Sequence, residues 1–305
     1  MKYLRWLFLL LLIVTAGNSA LAQNNTEARA LVKEGVQLND EKKYAEAIEK
    51  YKQALKLDSN YLFAGYQAAL SLYALDKGPE GIPYLKKIIK ADSPLNGAAY
   101  DLLGLVCFKD KQYAEAENYA IEAIKLDPKH AGSQRMYALV TFHQNKRMNA
   151  LMGFCSFILL EPDTPRTTEA YGNIEHILQG GVLKPEAGTT APHAIDANTN
   201  LFNQIIAGAI AETAKRKYAS AADLLAAQLK IIFTNAGKLA ETRTADDFFR
   251  KYLAAYFYQL AQSVNMPAFA RMISANTPES AKWITDNPKF MNELYTWIKT
   301  TERNF

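Results

Sequence analysis

Two stretches of the chain are near copies of one another. Tyr44-Ala45-Glu46-Ala47 returns as Tyr113-Ala114-Glu115-Ala116, and Lys56-Leu57-Asp58 returns as Lys125-Leu126-Asp127, so position 44 maps to 113 with an offset of 69. Each copy sits in a wider pattern: Leu31, Gly35, Leu38, Tyr44, Ala47, Tyr51 and Ala54 in the first, Tyr100, Leu103, Gly104, Tyr113, Ala116 and Ala123 in the second. The offset is two periods of about 34 residues plus one, a spacing that marks a row of small supersecondary units. Between the apolar runs lie polar turns, Asn39-Asp40-Glu41-Lys42-Lys43, Lys109-Asp110-Lys111-Gln112 and Asn145-Lys146-Arg147. Each unit therefore reads as two helices joined by a turn. One such pair cannot bury its apolar face alone, whereas stacked pairs share a core.

This arrangement resembles the tetratricopeptide-repeat family. The resemblance implies antiparallel helix pairs in which a small residue of the first helix meets a small residue of the second, with a proline ending the unit. Gly35 and Ala47 match those places in the first unit, and Gly104 and Ala116 in the third. The fourth fits through Ala138, Ala150 and Phe154, ending at Glu161-Pro162. The second diverges most, with Ala69, Gly81, Leu85 and Ile88 ending at Ser93-Pro94; Pro79 falls in its turn and Pro83 in the first turn of its second helix, where proline is tolerated. The expected fold class is all-α, an α-α superhelix (a tetratricopeptide solenoid) followed by a further helical, partly repeat-like C-terminal region.

The rest of the chain divides around that array. Residues 1–22 read as a secretory signal peptide: Lys2 and Arg5, then the apolar run Trp6 to Val14, then Ala20-Leu21-Ala22 before a cut at Gln23. The run falls short of the ~20 residues that span a bilayer, so the expectation is an exported, periplasmic or extracellular protein without stable membrane insertion. Residues 23–178 form the array, with Pro165 to Leu178 as one extra helix that carries Tyr171-Gly172 at the small-residue place. Residues 179–200, with Gly180, Gly181, Pro185, Gly188 and Pro192, read as a linker or surface loop. Residues 201–305 read as helical again: Ile205, Ile206, Ala209 and Ile210 on one helix and Ala221, Leu224, Leu225 and Ala226 on the next. The Tyr218/Ala221/Leu225 spacing there echoes Tyr44/Ala47/Tyr51 and suggests one degenerate unit. Thr244 with Asp247 makes a capping-box-like start, Thr277-Pro278 and Asn287-Pro288 begin two more helices, and Phe290, Leu294, Trp297 and Ile298 line the last as a capping helix.

Without Lys2 and Arg5, the 35 basic residues become 33 against 31 acidic ones, a spread-out +2 that offers no basic face for nucleic acid. Cys107 and Cys155 could pair in an oxidising compartment, but read first as small buried hydrophobes. His130, His143, His176 and His193 lack metal-ligand spacing. No nucleophile elbow, phosphate loop or dinucleotide fingerprint occurs, and Asp246-Asp247 and Glu115/Glu117 read as solvated helix charges. No cofactor and no catalytic residue is expected.

In the family, the second, fifth, ninth, twelfth and thirteenth places of each unit face a ligand groove. With units starting at Ala28, Leu62, Gly97 and Ala131, the resemblance assigns Arg29, Phe63, Tyr66, Tyr73, Phe108, Arg135, Phe142 and His143 to that groove. It would take a hydrophobic peptide or helix of another protein, unless the chain's own second half, or the segment Val182–Asn200, folds back and fills it. A carbohydrate- or peptidoglycan-binding protein, with Tyr66 and Tyr73 stacking on sugar rings, is the alternative reading, followed by an enzyme with an unrecognised site.

Overall fold

A computed structural model describes residues 25–181, 195–242, 248–303 and 305. The expected signal segment 1–22, residues 182–194 of the expected linker with His193, and the Thr244/Asp247 cap with Asp246 lie outside the described residues. The regular elements among the described residues are all helical. They belong to two compact units, one ending at Val106 and the other running from Cys107 to Phe305.

The first unit holds α1 (25–40), α2 (Tyr44–Leu57), α3 (Leu62–Ala74), α4 (Gly78–Lys90) and α5 (Asn96–Lys109) as far as Val106. Helix α2 shows why the repeat folds: Ala47, Ile48, Tyr51 and Ala54 recur at three- and four-residue steps and are buried, while its charges point to water. The small residues lie where helices touch. A β-carbon built on Gly35 would stand 2.5 Å from the Tyr51 ring, and one on Gly81 would stand 3.0 Å from the Ala69 α-carbon. Pro79 opens α4, but Pro83 lies inside the helix rather than in its first turn. There it withholds the bond that an N–H would give the Pro79 carbonyl.

The second unit continues through α6 (Tyr113–Leu126), α7 (Ala131–His143), α8 (Arg147–Leu160), α9 (Pro165–Leu178), α10 (Ala197–Thr213) and α11 (Ala221–Glu241). A π-helical segment, Phe248–Ala254, then runs into α12 (Ala255–Gln262), followed by α13 (Met266–Ile273), α14 (Pro278–Asp286) and α15 (Pro288–Thr300).

One device recurs in the turns. Lys42, Asp76, Lys111 and Asn145 each take a left-handed backbone, with φ of 60°, 61°, 60° and 57°. The next residue's N–H reaches back to the first helix: Lys43 to the Leu38 carbonyl, Lys77 to Leu72, Gln112 to Cys107 and Lys146 to Thr141, at 2.8–2.9 Å. This six-to-one bond satisfies a carbonyl at the end of the first helix and swings the chain back for the second. Helix α9 ends in the same way, with Gly180 at φ 76° and Gly181 bonded to the His176 carbonyl at 2.9 Å. Its C-terminus is thus built like that of a repeat's first helix. Gly172, however, has open space where a β-carbon would be, and faces solvent rather than a neighbouring helix.

Helix α8 differs from its counterparts. Where α2 and α6 alternate apolar and charged faces, α8 carries no acidic residue and is buried continuously from Ala150 to Ile158. A helix apolar all round has to be covered all round. Helices α7 and α9 pack against it, and so do α10, the π-helical segment and α13. The small residue at its contact with α7 is Gly153, whose β-carbon would stand 3.0 Å from Ala138.

Beyond residue 200 the sequence reading needs adjustment. Helix α10 starts at Ala197, not Leu201, because the Asp196 carboxylate accepts the Thr199 N–H at 2.9 Å. Helices α10 and α11 pack as a pair, but at 17 and 21 residues they exceed the 13 or 14 of α2 to α9. Thr277 caps α14 by accepting from the Ser280 N–H. Asn287 does not cap α15; its Nδ2 donates to the Trp283 carbonyl. On α15 the buried residues are Met291 and Leu294, whereas Phe290 is half exposed and leans on Trp283.

Candidate peptide-binding surface

In the first unit the surface is dominated by α3. This helix holds no charged residue at all. Ala64, Gly65, Ala68, Ala69 and Leu72 form its buried side. Phe63, Tyr66, Leu70 and Tyr73, spaced three, four and three residues apart, form a second stripe: Phe63 is exposed and the other three are half-buried. Burial, together with the Asp101 carboxylate, raises the Tyr66 phenol above its ordinary pKa. Arg29 on α1 is exposed. Asn39, also on α1, is engaged in the scaffold, its Oδ1 accepting the Ser71 hydroxyl of α3 at 2.8 Å.

In the second unit, Phe108, Tyr113 and His143 bring three rings together from the ends of α5, α6 and α7. His143 stacks on Tyr113 at 5.2 Å and meets the Phe108 edge at 5.1 Å; Phe108 and Tyr113 are 5.7 Å apart. Tyr113 was legible as a repeat position but not as part of this cluster. Arg135 pairs with Glu169 of α9 at 2.7 Å, holding consecutive first helices together. Phe142 turns inward, 5 % exposed, with its ring against Phe154 and His176. It serves the core.

The C-terminal part of the second unit packs on a different side of α7. Gln134 donates to the Tyr252 hydroxyl at 2.5 Å, and the Tyr137 ring meets Phe248 at 5.1 Å. Gly132, Arg135, Leu139 and His143, the remaining groove places of the same helix, stay partly exposed.

Several titratable groups prove structural. Glu117 is buried, not solvated, because Lys146 pairs with it and Gln144 donates to it at 2.8 Å. The His130 ring bonds the Ser133 hydroxyl at 2.7 Å. Cys107 and Cys155 are both buried. Among the described residues no group of three or more His, Cys, Asp and Glu side chains could hold a metal ion, and no helix is long and apolar enough to cross a membrane. The chemistry these surfaces offer is binding: aromatic faces flanked by single charges.

The family model for the tetratricopeptide repeat matches residues 97–130, which is the unit formed by α5, α6 and the turn after them. Residues 97–130 are a tetratricopeptide repeat. Tetratricopeptide arrays are interaction scaffolds that are typically non-catalytic and bind other proteins or peptides, so this repeat protein is in general terms an interaction adaptor. Among solved structures, the repeat protein is similar to MamA from Desulfovibrio magneticus RS-1, with 24% identity over 44% of this chain and 75% of that chain and a TM-score of 0.42. It is also similar to PilF of Pseudomonas aeruginosa, with 15% identity over 84% of this chain and 100% of that chain and a TM-score of 0.45. No curated protein matches it.

Proposed function

We propose that the protein is a non-catalytic adaptor that holds an apolar-anchored peptide or helix of another protein on the first helices of its repeats. We further propose that it does so as an exported protein, periplasmic or extracellular, within a cell-envelope complex. The observation that carries the binding reading is the stripe Phe63, Tyr66, Leu70 and Tyr73 on α3. That helix already buries its other side, so an aromatic stripe still partly open to water is what a partner would cover. Each 100 Å² of apolar area removed from water there is worth about 2.5 kcal/mol, and anchors spaced three and four apart suit an amphipathic helix or an extended segment with matching side chains. The export reading rests on the basic, apolar and small-residue layout of residues 1–22.

The test replaces Phe63 and Tyr66 by alanine in the full chain and places a photo-cross-linking amino acid at Tyr73. Loss of one reproducible cross-linked partner with an unchanged melting temperature supports the adaptor. A lowered melting temperature with the same cross-link, or saturable binding of peptidoglycan fragments at these tyrosines, overturns it. N-terminal sequencing of the envelope-located protein, expected to begin at Gln23, tests export.

A further inference from the structure

The segment that follows α15 is held by two side chains in a pocket built elsewhere in the second unit. The Arg303 guanidinium lies over three rings, 4.0 Å from the Tyr256 centroid, 5.0 Å from Tyr252 and 5.5 Å from Phe257, and donates to the Ser156 hydroxyl at 2.8 Å. The Phe305 ring lies parallel to Tyr252, 4.8 Å away with 7° between planes, and extends a stack that continues to Phe248. Phe257 and Ser156 are wholly buried and Tyr252 and Tyr256 nearly so, whereas Phe305 is 44 % exposed.

Three features set this apart from ordinary core packing. The pocket is assembled without the segment: Ser156 comes from α8, Tyr252 from the π-helical segment, Tyr256 and Phe257 from α12, and the Tyr252 hydroxyl is fixed by Gln134 and the Pro128 carbonyl. A seven-residue π-helical stretch is an uncommon backbone, frequent at functional sites; here it stacks Phe248 on Tyr252 at 5.0 Å and 21°. The segment itself is irregular, and the backbone bond from Thr301 to the Trp297 carbonyl serves to close α15 rather than to hold the segment down. A guanidinium enclosed by aromatic faces with one hydroxyl acceptor is how proteins recognise a cationic side chain.

We infer that this pocket is a recognition site for a peptide carrying an arginine and, two residues on, an aromatic ring, and that Arg303 and Phe305 of the segment after α15 are its built-in occupants. A partner segment of that pattern binds by displacing the strap, so the strap sets a threshold for partner entry. The site shares no residue with the α3 stripe.

The test uses the full chain with Arg303→Ala and Phe305→Ala, which empties the pocket, and a fluorescent, amidated peptide of residues 299–305. Anisotropy should show saturable binding to this variant, at least about tenfold weaker binding to the unsubstituted protein, and at least about tenfold weaker binding of the same peptide with alanine for arginine. Absence of saturable binding to a variant with unchanged melting, or equal binding by both proteins, overturns the inference. Should the variant fail to fold, hydrogen exchange on the unsubstituted protein decides. The segment after α15 should exchange at least about a hundredfold faster than α12, and faster again with excess peptide; exchange only in step with global unfolding overturns it. Phe63→Ala and Tyr66→Ala should leave peptide binding unchanged, which separates a failure here from a failure of the adaptor reading.

Discussion

Gly237 of α11 and Tyr258 of α12 approach so closely that a methyl group on Gly237 would stand 2.5 Å from the Tyr258 β-carbon. That atom is fixed to the backbone, and no rotamer change moves it away. The contact lets α11 and α12 bring Phe233 and Phe257 to 4.7 Å between centroids, with Phe269 beside both.

Gly237→Ala should therefore be destabilising although alanine is the better helix former. Propensity favours alanine by up to about 1 kcal/mol, while forced separation of two packed helices costs typically 1–3 kcal/mol and sometimes more. A net loss of about 2 kcal/mol in denaturant unfolding is expected. An unchanged or raised midpoint would refute the contact.

The two buried tyrosines Tyr51 and Tyr171 predict an alkaline loss of stability. Burial is the main cause that pushes each phenol up to about 12, with Asp40 adding to it at Tyr51 and Glu175 at Tyr171. Each folded-state pKa lies above the unfolded value near 10, so between those limits the folded chain keeps a proton that the unfolded chain has lost. Their contribution is whole below pH 10 and disappears as pH rises towards 12, at up to about 1.4 kcal/mol per pH unit for each tyrosine. Denaturant midpoints measured from pH 9 to 12 should fall. Tyr51→Phe should lessen that slope, and because the Tyr51 hydroxyl is buried without a hydrogen-bond partner, it should cost little at neutral pH.

The cysteines should be silent in the native protein. Cys155 is fully buried, and burial pushes its thiol up, with the Arg303 charge pulling more weakly the other way. Cys107 is buried as well. Thiol labelling of the native chain should run at least about a hundredfold slower than in denaturant, and a two-thiol titre on unfolding should appear without reductant. A mass lower by two hydrogens would instead reveal a disulfide.

The repeat was legible because it is written many times over. A small residue at Gly35, Gly81 or Ala69 sits at a fixed distance from its neighbours in the sequence, so helix contact becomes a period. The polar turns of the first, third and fourth units followed for a similar reason, since Lys42, Lys111 and Asn145 occupy one place in each. Of the surface residues, the Phe63, Tyr66 and Tyr73 stripe could be read from family places on a helix. The burial of Phe142 could not, because it depends on His176 in the next helix and Phe154 in its own partner helix.

The sequence by itself thus determined the paired helices, their turns and which residues of α2 and α3 face inward, since these are local relations repeated along the chain. Tertiary structure alone decided that α8 is enclosed, that Glu117 is paired with Lys146, and that Arg303 lies among Tyr252, Tyr256 and Phe257. Gln134 and Tyr252 are 118 residues apart and meet once. A contact made once between distant positions leaves no period to read, and its energy depends on shapes that exist only after the chain has folded.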